Sequence, residues 1–504
     1  ITNIEGFGDT GLGYYSSGYQ IYSLLLALCS IGIPSVVSKL VSERLAINDN
    51  AGAQRIFKIT MKLFAGIGLF FSVTLFLFAD LIATKILNVP DVSYVLKVLA
   101  PAIVFVAASS VFRGYFNAQS NMKPASVSYT LEQFLNCVLS ITFVYALIGK
   151  DAYIMAAGGN LSTTISVILT FVYIFIYYKR HKIKYAEEEL KNSPEYNKTS
   201  KQLLKAVLAF SIPITIGSII SVITSVIDTT TVSNCIQIAY SGIINSKGAL
   251  EQLAMQKAGI LSKVDTLVNI ALSTALLPAI SHSVAQKDFD TTNKRLSFSV
   301  FISILIIIPC AIGFIVLAEP ILKLIYPSAS DGAWVLRLAS ISMIFIALSQ
   351  TINSGLQGLS KVYIPAIALA VGATVKLILN VILISNPSIN IYGAPISSIT
   401  CQIIAFCISY TSLKKSIKLN MDFKRNVLKP ILAGLIMGLV VSLSNYGLNL
   451  ITGKTISTLI SILIGVAVYI ISVLLLKILT KEDIFMLPFG AKIYNILEKK
   501  KIYM

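Results

Sequence analysis

RGYFNAQSNMKP, residues 113–124, interrupts a long apolar stretch with Arg113, Asn117, Gln119, Ser120, Asn121 and Lys123. SGLQGLSKVYIP, residues 354–365, repeats the design, with Gly355 and Pro365 spaced as Gly114 and Pro124 are. A short polar segment between apolar runs reads as a tight turn. A proline that opens the next helix loses nothing, because the first N–H groups of a helix have no partner within it. The match extends outward from these turns. ADLIATKILN (79–88) resembles AEPILKLIYP (318–327), VLKVLA (95–100) resembles VLRLAS (335–340), and AGGNLS (157–162) resembles YGAPIS (392–397), at offsets of 235 to 241 residues. One unit is present twice, with both copies running in the same direction.

The apolar runs say where that unit resides. The chain has 504 residues, 55% hydrophobic and only 13% charged, with a mean hydropathy of +0.79, outside the range of soluble domains. Runs such as 299–318 and 456–476 reach the roughly 20 residues that cross a hydrocarbon core. Lipid-facing backbone must pair within its own helix, so the expected fold class is an all-α polytopic membrane protein. Spans are expected near 15–41, 57–84, 93–117, 124–148, 152–178, 204–231, 254–281, 297–325, 333–357, 363–385, 391–413, 427–448 and 456–479. The opening ITNIEGFGDTGLGYY reads as the end of a further first span, largely missing, and not as a signal peptide.

Parallel repeats related by an axis along the membrane normal are a transporter architecture with the site between halves. The expected organisation is two pseudo-symmetric six-helix lobes plus two C-terminal helices. The N-lobe occupies 1–180, a cytoplasmic linker 181–202, the C-lobe 203–413, and helices thirteen and fourteen with a basic tail 414–504. KRHKIKYAEEELKNSPEYNKTSK (179–201) reads as a charged connector, a surface helix.

Alternate loops test the orientation. One set of loops with adjoining helix ends holds 31 of the 41 Lys and Arg residues, which places that set, and the C-terminus, in the cytoplasm. The net charge of +18 is thereby a membrane-surface rim, and nucleic acid is not an expected partner. Six cysteines without a CxxC pair and two histidines, His181 and His282, offer no metal or redox site. GLNLITGKT (447–455) approaches a phosphate-binding loop, but five residues separate Gly447 from Gly453 where four are required, so no nucleotide or other cofactor is expected.

Ionisable residues inside spans are costly and mark function by default. Lys97 and Arg337 occupy corresponding positions in the two copies, where they either snorkel to the outer interface or face a cavity. Gly372, Lys376 and Asn380 follow at i, i+4, i+8 and share one helix face. Ser262, Asp265, Thr266, Asn269 and Ser273 form another polar stripe, with Lys263 beside it. Asp228 lies on a serine-rich stripe of the seventh helix. Glu132 lies alongside Ser126, Tyr129, Gln133, Asn136 and Ser140. Such stripes fit walls of a wet cavity and also helix–helix contacts. Tyr15, Tyr19 and Tyr22 could stack on sugar or pack as an aromatic belt. The candidate substrate-binding cations are Lys97, Arg337, Lys263 and Lys376. The candidate polar or coupling residues are Asp265, Asn269, Asp228, Glu132 and Asn380.

The segments YQIYSLLLALCSIGIPSVVSKLVSE (19–43), RGYFNAQSNMKPASVSYTLEQ (113–133), LLPAIS (276–281) and LQGLSKVYIPA (356–366) resemble the multidrug/oligosaccharidyl-lipid/polysaccharide exporter superfamily. The resemblance covers essentially the whole chain and lies within its branch of sporulation stage V protein B and lipid II flippases. Arg113, Gly114, Pro124, Gly355 and Pro365 carry the family's turn. The resemblance implies fourteen helices in two lobes around a central cavity. It also implies transbilayer movement of an undecaprenyl-linked saccharide without direct use of ATP. The lipid II branch relies on cavity arginines in its first, second and eighth helices. Here the second, around Tyr15–Val41, has only Lys39 at its end, and the eighth offers Lys257 and Lys263.

The expected function is therefore a flippase of the bacterial cytoplasmic membrane with a cationic cavity, not an enzyme. It would be driven by the membrane potential or an ion gradient. Its partners would be a lipid-linked oligosaccharide, membrane lipids and the cell-envelope synthesis machinery. A cation-coupled multidrug antiporter is the alternative, and would want an acidic cavity. A membrane glycosyltransferase would want a large outer loop with acid/base residues. Asn234–Glu251 is too small for that.

Overall fold

Long apolar runs whose backbone must satisfy itself give helix after helix. The computed structural model describes residues 1–30, 32–183, 200–281, 289–359, 361, 363–416, 422–451 and 453–486. The connector helix expected within 179–201 falls mostly outside the described residues, as does His282. Among the described residues there is no strand. Among them twelve helices are long and apolar enough to cross a membrane, and the chain is an all-α, multi-pass membrane protein. The remaining expected span, 254–281, maps to the helix Lys247–Ser281.

The chain divides into two compact units, Ile1–Gly259 and Ile260–Met504. The division falls inside the helix Lys247–Ser281, later than the expected start of the C-lobe at 203.

In the first unit, α1 (Gly8–Cys29) and α2 (Ile33–Leu45) form one broken span, with Pro34 opening the second piece. α3 (Asn50–Leu81) starts on Asp49, whose carboxylate accepts from the Gly52 N–H at 2.7 Å. α4 (Val92–Leu99) and α5 (Ala102–Ala118) are parted at Pro101, whose ring cannot continue an α-helical ladder. α6 (Lys123–Ala146), α7 (Ala152–His181), α8 (Ser200–Tyr240) and the start of α9 (Lys247–Ser281) complete the unit.

One end of this unit is held by an aromatic core of Phe57, Phe112, Tyr115 and Phe116 on α3 and α5. Its polar groups are satisfied. Gln54 Nε2 donates to the Tyr115 hydroxyl at 2.5 Å, the Ile183 N–H donates to the same hydroxyl at 2.9 Å, and Tyr178 donates to Gln54 Oε1 at 3.1 Å. The chain is thereby pinned where it leaves α7.

The second unit begins at Ile260 on α9 and continues with α10 (Phe289–Val316), α11 (Ala318–Ile325), α12 (Ala333–Gly358), α13 (Tyr363–Ile384) and α14 (Gly393–Ser416). α15 (Lys429–Ile451), α16 (Lys454–Leu475) and the short α17 (Lys481–Met486) follow. α12 packs on α10 and α14, and α15 packs on α10 and α16.

The two segments that opened the sequence are shorter turns than their polarity suggests. α5 runs on to Ala118 and α6 starts at Lys123, so only 119–122 connect them. Arg113 and Gly114 lie inside α5, and Pro124 lies in the first turn of α6. A Cβ on Gly114 would stand 2.7 Å from the Pro34 carbonyl oxygen and 2.8 Å from Val37 Cβ. The missing side chain lets α5 lie against α2. Gly355, inside α12, repeats the device: its Cβ would stand 2.8 Å from a methyl of Leu296 on α10. Pro365 sits in the first turn of α13. What the repeat preserves here is a close helix contact followed by a turn.

Candidate functional site

In the first unit, α1 and α6 each pack on α7, whose buried Asn160, Ser162 and Thr163 lie between them. Asn136 of α6 accepts through Oδ1 from Ser162 Oγ at 2.6 Å and from Thr163 Oγ1 at 3.5 Å. The Thr163 side chain also bonds to that of Tyr15 on α1. Asn160 Nδ2 donates to the Tyr15 carbonyl at 3.3 Å. Three helices are thus cross-linked by neutral polar groups, the usual adhesive where lipid supplies no hydrophobic drive.

Above this floor stand the tyrosines of α1. Tyr15 and Tyr19 are stacked, with centroids 6.4 Å apart and planes within 8°. Tyr22 tilts against Tyr19 at 5.6 Å. Opposite, Arg113 reaches from α5 to α6. Its Nε donates to Ser128 Oγ at 2.9 Å, its Nη2 to Glu132 Oε2 at 2.5 Å, and its guanidinium lies 3.9 Å over the Tyr129 ring. Arg113 is 3% exposed. Arginine suits this place because its planar fork can hydrogen-bond and stack at once.

Expected from sequence as a turn cation, Arg113 is instead a buried ion-pair partner, and Glu132 is the residue it holds. The spacing carried a signal. Two opposite charges within a few turns of the same connection, on consecutive helices, have few partners but each other.

Lys97 is also engaged within this unit. Its Nζ stands 2.8 Å from Asp80 Oδ1, both side chains being substantially exposed. Asp228 is buried on α8.

In the second unit, Lys263 is 1% exposed, donates to the Ala329 carbonyl at 2.5 Å and lies 5.8 Å from the Tyr326 ring centroid. It ties α9 to the loop between α11 and α12. That loop passes over Ile260 at Gly332, whose φ of +107° favours glycine. Arg337, in the first turns of α12, lies 4.5 Å over Trp334 and donates to the Ile315 carbonyl at 3.3 Å. Near it the hydrogen bond from Lys323, aided by the charges of Lys323 and Arg337, holds the Glu319 carboxyl below its usual range.

Lys376 is 5% exposed on α13. The face it shares with Gly372 and Asn380 packs on α14: a Cβ on Gly372 would stand 2.7 Å from the Cys401 carbonyl, and Ser397 donates to Asn380 Oδ1. Asp265 and Asn269 are exposed on α9. Within this unit Lys263 and Arg337 converge on the α11–α12 segment, whereas Lys376 lies on the α13–α14 pair. Among the described residues, no three His, Cys, Asp or Glu side chains come together as a metal set would require.

The second unit also holds an apolar cavity of about 840 Å³, between α10, α15 and α16. Leu305, Pro309, Val441, Gly465 and Ile470 line it, and Tyr469 closes one side with its hydroxyl donated to the Leu305 carbonyl at 2.7 Å. Such a lining suits hydrocarbon and offers a polar ligand almost nothing.

Spanning helices in two units, with buried cations and polar stripes inside the spans, define a membrane transport protein. The polysaccharide biosynthesis protein family model matches residues 7–284, more than half of the sequence, and the chain belongs to that family. The MatE family model matches residues 254–382. These families place the chain in the multidrug/oligosaccharidyl-lipid/polysaccharide exporter superfamily. It is 24% identical over 488 residues to stage V sporulation protein B of Bacillus subtilis (strain 168), covering 95% of this chain and 92% of the relative. It is 25% identical over 465 residues to the lipid II flippase MurJ of the same organism, covering 88% and 84%. Among solved structures, a lipid II flippase MurJ in an inward closed conformation superposes with a TM-score of 0.64 at 18% identity, covering 91% of this chain and 96% of that one, and so shares the fold.

Proposed function

We propose that the protein moves an undecaprenyl-linked saccharide precursor, of peptidoglycan or another envelope polysaccharide, from the inner to the outer leaflet of the bacterial cytoplasmic membrane. The observation that carries this reading is the burial of Lys376, 5% exposed, inside a spanning helix of a polysaccharide-family chain. A sugar head and a diphosphate cannot cross hydrocarbon unaided, since each unpaired polar group costs several kcal/mol. Ammonium and guanidinium groups along the path replace water with charge-assisted hydrogen bonds.

Lys97 in the first unit, and Arg337 with Lys263 in the second, serve where the head enters or leaves, and Lys376 serves deeper. The polyprenyl tail stays in lipid or against the apolar cavity of the second unit. The two lobes rock to expose the path to each side in turn. With the basic loops and C-terminus in the cytoplasm, outward movement of two negative charges gains about 2.3 kcal/mol per charge per 100 mV of inside-negative potential. No nucleotide or other cofactor is required, and the envelope-synthesis enzymes of the inner leaflet supply the cargo.

The test is charge reversal in a flippase-deficient strain, scored together with membrane-inserted protein. Lys376→Glu and Arg337→Glu should each lower complementation at least about tenfold, as loss of one charge-assisted contact would, while Lys376→Arg retains most of it. Arg337 is partly exposed, so its variant reads charge even where Lys376→Glu lowers protein levels. Full activity of both reversals at normal levels contradicts the anionic cargo.

A second reading draws on the MatE match and the buried Asp228: an antiporter for hydrophobic cations. That reading expects the reversals to be tolerated and Asp228→Asn to be inactive.

A further inference from the structure

Cations account for the diphosphate of a lipid-linked saccharide and leave its sugar unread. The first unit holds a second kind of surface. Tyr19 is 37% exposed, while Tyr22 behind it is 1% exposed and Tyr15 beside it is partly covered. Stacking by Tyr15 and the tilted contact from Tyr22 fix the plane of the Tyr19 ring. Along the helix axis Tyr22 lies about 21 Å from Gly8, deeper than the girdle in which interfacial tyrosines sit. The Thr163 side chain, bonded both to Tyr15 and to Asn136 Oδ1, sets α6 beside these tyrosines. An ion pair with a partly exposed carboxylate inside a spanning segment belongs to a wet recess and not to lipid. Arg113 takes one Glu132 oxygen, Oε2, and leaves Oε1 to accept. Asn136, whose Oδ1 is used by Ser162 and Thr163, keeps its Nδ2 donors. Gln133 is exposed one position on from Glu132.

We propose that Tyr19, Glu132 and Asn136 form a saccharide-binding face on the first unit, with the apolar side of a pyranose ring on Tyr19 and its hydroxyl or N-acetyl groups bonded to Glu132 and Asn136. The proposal rests on the reading of the protein as a carrier of lipid-linked saccharides. Its chemistry follows from the ligand. A pyranose presents C–H groups on one face and hydroxyls around its rim, which a fixed aromatic ring flanked by a planar carboxylate and amide complements. Arg113 is a positioning residue here, since it orients Glu132 without needing to touch sugar. The face discriminates sugar from bare carrier, which the cations do not.

The experiment uses the full chain in nanodiscs and two probes: undecaprenyl diphosphate bearing an N-acetylhexosamine disaccharide, and undecaprenyl diphosphate alone. Tyr19→Ala should weaken binding of the glycosylated probe about tenfold, the loss of one stacked ring contact, and leave the bare carrier unchanged. Tyr19→Trp, which keeps an aromatic face, should bind the glycosylated probe at least as tightly as the native protein. Equal affinities of native and Tyr19→Ala protein for the glycosylated probe overturn the sugar face while leaving carrier binding intact. Failure of the native protein to bind either probe overturns both the face and the flippase reading.

Discussion

Gly259→Val should yield no stably inserted protein, and Gly13→Val should do the same. The two glycines face each other where α1 crosses α9 within the first unit. A Cβ on Gly13 would stand 1.9 Å from the Met255 carbonyl oxygen, and one on Gly259 would stand 1.8 Å from that of Asp9. Both obstacles are backbone, so no rotamer change relieves them, and the helices must separate or shift in register. Overpacking of a well-packed contact costs about 1–3 kcal/mol where side chains can yield; with backbone opposed, the upper end is the minimum expected. Small residues at such crossings are what allow membrane helices to approach. The measurement is the fraction of detergent-extracted protein that elutes as a monodisperse species, against Gly66→Ala as control, whose Cβ meets nothing within 4 Å. A monodisperse Gly259→Val protein with native thermal stability would show that the crossing is not a structural requirement.

Arg113→Leu should lower stability by about 3 kcal/mol, because it leaves the Glu132 carboxylate without its partner inside a span. Glu132 is 19% exposed, which keeps the cost at the low end of the range for broken buried pairs. The double substitution Arg113→Leu/Glu132→Gln should recover most of the loss, since an unpaired buried charge is the expensive species and its removal is cheap. Thermal unfolding in detergent, monitored across the double-mutant cycle, separates the two terms. Equal destabilisation in the single and double variants would mean that Arg113 acts through Ser128 and its stacking on Tyr129, not through the ion pair.

These two contacts also mark where the sequence stopped being informative. The spans were legible because lipid admits only self-satisfied helices, and Pro124 marked the start of α6; the breaks at Pro34 and Pro101 fall inside the expected spans 15–41 and 93–117, where apolar length alone shows no interruption. The repeat was legible from Gly114 and Gly355, but their purpose was not. A glycine near a polar segment suggests a turn, and only the partner helix shows that the missing Cβ is the point. Arg113 stands near a turn, where the orientation rule treats every cation as part of the basic rim. Gly13 and Gly259 are 246 positions apart, and nothing local to GDTGLG or QKAGIL relates them. The face Gly372–Lys376–Asn380 was correctly assembled from helical spacing. Its neighbour, α14 with Ser397 and Cys401, is a tertiary fact that spacing alone does not contain. The tyrosines of α1 were visible as a stripe, whereas the carboxylate opposite them required three helices to be in place.

The claim on which the functional account stands is that the chain carries an anionic lipid-linked saccharide across the bilayer. The direct measurement is made in proteoliposomes containing the purified protein and a fluorescent undecaprenyl-diphosphate-linked disaccharide, with transbilayer movement read as loss of signal to a membrane-impermeant quencher. The account predicts movement faster than in protein-free vesicles, accelerated by a potential negative on the side of departure and slowed by Lys376→Glu. Movement no faster than in protein-free vesicles, together with protein-dependent transport of a hydrophobic cation, would contradict it.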